Sequence, residues 1–161
     1  EIETVFTQPK NIASRQHMLI ASYRAGEALT RSYVGNVHAL SHPLSLSYHI
    51  PHGLANAVTL PHVLTYYGTA VHKRLASLGR EAGVIEKGLS DEETALLFIK
   101  KIEDLNKRFN IGNSFSEIKE KDLDSLSFHA LHEANPVYPV PVIFDKADCF
   151  NVYHLLMKKD S

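Results

Sequence analysis

Nothing in this chain approaches the ~20 consecutive apolar residues a membrane-spanning helix needs, and its opening, EIETVFTQPK, is too polar for a secretory leader. A single cysteine, Cys149, excludes an internal disulfide and leaves no partner for a thiolate metal knuckle or a redox pair. A lone thiol of this kind behaves mostly as a small hydrophobe, on the surface or in a core. Together these absences point to a reducing, cytoplasmic setting. Charge is not in excess either. Seventeen basic residues against eighteen acidic ones leave a formal charge of −1, too balanced for a nucleic-acid groove or a solvating acidic tail. Neither GxGxxG nor GxxxxGK[ST] occurs, so no phosphate cradle on a strand-to-helix turn is encoded. The chain also begins without methionine, as a piece of a longer protein would.

What is present reads as helix. The 161 residues suit one domain, with enough apolar content for a substantial core. In 12–30, Met18, Ala21, Ser22, Ala25, Ala28 and Leu29 fall at three- and four-residue steps, giving a small face that a neighbouring helix could approach closely. A second helix is expected over 54–67, kinked or broken at Pro61. A third, over 70–82, carries Val71, Leu75, Leu78 and Ala82 and stops at Gly83. Ser90 with Glu93 forms a capping box ahead of the stripe Ala95, Phe98, Ile99, Ile102 and Leu105. After a charged loop, Leu123, Leu126, Ala130 and Leu131 mark a short helix, which the prolines of NPVYPVPV terminate. A last helix, about 146–157, follows Asp145 as N-cap. No alternating strands or internal repeats intervene. The expected fold is all-α, a single helical domain over 1–161.

The chemistry concentrates in residues 35–53, GNVHALSHPLSLSYHIPHG, which hold four of the ten histidines and no Lys, Arg, Asp or Glu. His38 and His42 are four apart, so on a helix both rings leave one face, a spacing that offers two nitrogens to one metal. His52 reaches them only if the chain folds back. Pro51 and Gly53 flank it, and their combined backbone preferences suit aiming one ring at a fixed point. Neutral imidazoles suit first-row divalent ions such as iron or zinc. His17, His72, His129, His132 and His154 stand alone and read as packing or half-exposed residues. His62 lies near enough to line a site, and His49, just before IPHG, could also approach one.

Residues 35–63, GNVHALSHPLSLSYHIPHGLANAVTLPHV, closely resemble the signature of the iron-containing (group III) alcohol dehydrogenases. The resemblance runs from Ala21–Gly26 upstream through LHEANPVYPVP into the final helix, essentially the whole chain. It implies the all-helical C-terminal metal domain of a dehydroquinate synthase-like fold, which packs on an N-terminal nucleotide-binding domain with the active site in the cleft between them. Carried over by position, it makes His38 and His52 metal ligands, and places His42 beside the metal, near nicotinamide and substrate. That assignment displaces the His38–His42 pair favoured by spacing. The family's remaining ligands, an Asp and a His on a DxxxH helix, have no counterpart, since no Asp precedes the motif. Fe2+ is the metal implied first and Zn2+ second. NAD or NADP would be held mainly by the other domain. The implied reaction is hydride transfer between a primary alcohol and its aldehyde, with the isolated chain inactive and its site empty or weakly filled. The partners are then a small alcohol or aldehyde and the chain's own N-terminal domain, with neither nucleic acid nor membrane involved and homo-oligomerisation left open. Rival readings are a glycerol dehydrogenase-like or other oxidoreductase of the same superfamily, a helical metal-dependent phosphohydrolase, and a helical binding module. The phosphohydrolase lacks its usual His-Asp dipeptide here, and the binding module leaves the uncharged histidine segment unexplained.

Overall fold

The computed structural model describes residues 1–84 and 88–158. Its contacts divide the chain into two compact units, Glu1–Val34 and Gly35–Ser161. The first unit is a helix pair, α1 (Ile2–Thr7) and α2 (Ile12–Ser32). Asn11 caps α2 by accepting from the Ser14 amide, one of the donors a helix start leaves free. Along α2 only Ser14 is buried, so most of the small face expected of this helix is exposed.

The second unit holds α3 (Asn36–Tyr48), α4 (His52–Tyr67), α5 (Thr69–Glu81), α6 (Asp91–Arg108), a 3-10 turn at Glu120–Asp122, α7 (Leu123–Ala134) and α8 (Lys146–Leu156). Among the described residues there is no strand, only an isolated bridge between Phe115 and Met157. The all-α expectation holds. α3 and α4 form a hairpin, α3 also packs on α7, α7 on α8, and α5 on α6. The core is filled by Leu40 and Leu44 from α3, Val58 and Val63 from α4, Leu123 and Leu126 from α7, and Val152, Tyr153 and Leu156 from α8. Each such buried aliphatic contributes about 1.5–3 kcal/mol over an exposed one. Cys149 joins that core, and burial pushes its thiol up to about 12.

The caps behave as their sequences indicate. Ser90 and Glu93 make the reciprocal capping box of α6, and Asp145 does the same with Asp148 at α8. Gly83, just past α5, has φ +66, a left-handed conformation that glycine takes without cost.

At Pro61, where a kink or a break was expected, the break is absent, and the expectation for Gly53 needs correction. Pro61 neither ends nor splits α4, which runs from His52 to Tyr67. Proline cannot donate to the carbonyl four residues back, but Ala57 O accepts instead from Asn106 Nδ2 on α6 at 2.8 Å. A side chain from the neighbouring helix thus supplies the hydrogen bond that Pro61 lacks. Gly53, for its part, is an ordinary helical residue of α4 without positive φ, and a Cβ there would meet nothing within 4 Å. The turn before it is made by His49, left-handed at φ 55, and by Pro51 at the N-cap.

Candidate functional site

The α3–α4 hairpin returns the chain on itself, and three of the four clustered histidines meet at its open side. His38 and His42 are one turn apart on α3, and His52 is the first residue of α4. Their ring centroids lie 5.8 Å (His38–His42), 5.4 Å (His38–His52) and 5.1 Å (His42–His52) apart, the last pair stacked. His49 is exposed at the end of α3, outside this group. His62 bonds through Nε2 to the Asn113 carbonyl at 2.9 Å and lines a separate cavity of about 280 Å³ with Glu103, Asn106 and Lys107.

The three rings are not equivalent. Nε2 of His52 lies 2.9 Å from Asn56 Nδ2, and Nε2 of His38 lies 3.5 Å from the same atom. Asn56 sits one turn after His52 on α4, so the helix itself sets this geometry. As an acceptor from an amide, each Nε2 directs its lone pair at a common point. Burial holds the His38 imidazole below its usual pKa, reinforced by any charge on His52 and His42 and opposed by Glu133. The ring is thereby kept in the neutral form that metal binding requires.

His42 turns elsewhere. Its Nδ1 is 2.6 Å from Glu133 Oε1, near the end of α7, and the same oxygen accepts from the Tyr138 hydroxyl at 2.8 Å. Burial, then the hydrogen bond to Glu133, pushes the Tyr138 hydroxyl up to about 12, so it stays a donor.

Could these residues hold a divalent cation? The donor chemistry fits one as a partial shell: two imidazole nitrogens converge, and the Oδ1 of the intervening Asn56 is buried with no hydrogen-bond partner among the described residues. Among the described residues, no group of three or more His, Cys, Asp or Glu could hold a metal ion. Two imidazoles are short of the three or four protein ligands of a firm site.

Asn56, Glu133 and Tyr138 are the members of this cluster that the sequence did not single out. The four-residue step from His52 to Asn56 was a readable signal. Glu133 stands 91 positions from His42 and carried none.

The model of the Fe-containing alcohol dehydrogenase family, C-terminal, matches residues 1–157. Alcohol dehydrogenase 4 of Saccharomyces cerevisiae is 38% identical over 136 residues, covering 80% of this chain and 34% of its own length. The 1,3-propanediol dehydrogenase of Citrobacter freundii is 35% identical over 127 residues, with 78% and 33% covered. Among solved structures, a 1,3-propanediol oxidoreductase superposes with a TM-score of 0.87 at 29% identity, over 94% of this chain and 40% of that one. The chain therefore spans about a third of the length of the curated relatives it matches.

Proposed function

The chain belongs to the Fe-containing alcohol dehydrogenase family, whose C-terminal part it matches, and from that premise we propose that it is the metal-binding half of an NAD(P)-dependent enzyme interconverting a primary alcohol and its aldehyde. The observation that carries this reading is the convergence of His38 and His52 Nε2 on one point beside Asn56. In support of small substrates, relatives are named for methanol, 1,3-propanediol and lactaldehyde, and the methanol enzyme of Bacillus methanolicus for NAD.

A divalent cation, Fe2+ first and Zn2+ second, would supply Lewis acidity toward the alcohol oxygen, and a nicotinamide carried by a preceding domain would take the hydride. This chain's own contribution is positional. α3 and α4 carry His38 and His52 on the two arms of a hairpin whose inner faces join the hydrophobic core. His42, stacked on His52 but bonded to Glu133, is the group placed to orient the substrate hydroxyl or move its proton. Two imidazoles alone grip an ion weakly, so the chain by itself is inactive and loses its metal on dialysis.

The test uses the full-length protein. Primary alcohol oxidation with NAD(P) is expected, with His38→Ala or His52→Ala emptying the metal site. His42→Ala is expected to retain metal and lose turnover. Equal metal loss in all three variants refutes the division of roles, and tightly held stoichiometric metal in the chain alone refutes the two-ligand half-site.

A further inference from the structure

We propose that Glu133, braced by Tyr138, is a positioning residue that locks His42 into the tautomer with its proton on Nδ1 and its lone pair on Nε2. The inference deepens the reading above and rests on His42 being the residue beside the reacting centre.

A carboxylate is the partner that decides which nitrogen of the ring holds the hydrogen. It accepts hydrogen bonds and donates none, so a ring nitrogen 2.6 Å from Glu133 Oε1 must carry the hydrogen. That nitrogen is Nδ1 of His42, and in a neutral imidazole the other nitrogen is then the acceptor. Water imposes no such choice. At 43% side-chain exposure, His42 would sample both tautomers if nothing held it.

Glu133 is itself held. The Tyr138 hydroxyl donates to the same Oε1 at 2.8 Å, and burial together with that bond keeps the hydroxyl protonated. The two donors reach the carboxylate from different elements, His42 from α3 and Tyr138 from the segment after α7. Tyr138 is fixed in turn by its backbone, whose amide bonds to Ala134 O at 2.8 Å. Rotation of the Glu133 side chain would break both bonds at once.

The consequence for chemistry is directional. A base needs its lone pair on the side where the proton departs, and Nε2 is the nitrogen this arrangement leaves free. The carboxylate also fixes the plane of the ring, because its bond to Nδ1 resists rotation about the side-chain torsions. The same logic orients other carboxylate–histidine pairs.

The experiment has two independent readouts. Long-range proton–nitrogen NMR of the imidazoles in this chain, at a pH where the rings are neutral, assigns the His42 tautomer directly. The expected result is Nδ1–H in the wild type and in Tyr138→Phe, with Glu133→Ala shifting the ring toward Nε2–H. An Nε2–H wild type, or an unchanged tautomer in Glu133→Ala, overturns the proposal, and the wild-type spectrum decides even if the alanine variant fails to fold. In the full-length enzyme, Glu133→Ala is expected to lower kcat about 10–100-fold with metal content and KM nearly unchanged. Loss of metal, or a fall confined to KM, overturns the positioning role. Failure of the metal reading looks different: His38→Ala and His52→Ala leave metal in place while the His42 tautomer stays as described.

Discussion

Replacing Asn106 by alanine removes the one hydrogen bond that lets α4 pass through Pro61. The Ala57 carbonyl then faces a part-buried environment with no intrahelical donor, because the residue four positions on is proline. A buried carbonyl stripped of its partner costs about 1–3 kcal/mol, and its partial exposure puts the expected loss near 1–2. In a chain of 161 residues that lowers the thermal midpoint by about 3–6 °C. The decisive measurement is a double-mutant cycle in urea with Pro61→Ala. Restoring a backbone N–H at position 61 gives Ala57 O an intrahelical donor, so Asn106→Ala should then cost only about 0.5 kcal/mol. The expected coupling is therefore about 1 kcal/mol. Strictly additive costs, with Asn106→Ala equally harmful in both backgrounds, would refute the substitution of a side-chain donor for a backbone one. His52 and Asn56 ride on the same helix, so a failure here would also weaken the account of how the site is held.

Other outcomes follow from the same structure. Cys149 should resist alkylation at pH 8 in the folded chain and react at once in urea, because burial pushes its thiol up to about 12 from an ordinary 9.0. Since the fold favours the neutral thiol, that contribution to stability is complete below pH 9 and is lost as pH rises toward 12; a urea midpoint that is flat or rising over this window contradicts it. Ser90→Ala should cost about 1 kcal/mol through loss of the α6 cap, read as a drop of about 2–4 °C in the melting temperature. Gly53→Ala should raise stability by about 0.5–1 kcal/mol in chemical denaturation, since the position is helical and open; destabilisation would mean the added methyl meets something after all.

Features set by neighbours in sequence were legible, and those set by distant partners were not. The caps at Ser90 and Asp145 are reciprocal contacts over three residues, so their residue types announce them. The break that Pro61 allowed for is absent because the cost of a helical proline depends on whether another group can serve the orphaned carbonyl. Asn106, 49 positions away, does so. The histidine cluster divides in the same way. Spacing on one helix favoured His38 with His42, and only the resemblance pointed to His38 with His52. The structure gathers all three rings, yet the contacts that distinguish them come from Asn56 and Glu133. The small stripe on α2 was visible as a pattern, but periodicity does not say what a face packs against.

Asn56 sits within reach of both His38 and His52. The amide lodged between the two ring nitrogens spans them through a single nitrogen, so one side chain sets the separation of His38 Nε2 from His52 Nε2. Its Oδ1 is buried, so turning the amide exchanges contacts inside the hairpin rather than with water. On the proposed metal reading, an entering ion has to take over the ring nitrogens that Asn56 Nδ2 now contacts, and Asn56→Leu, which removes those contacts, should change the rate of capture while leaving the hairpin folded.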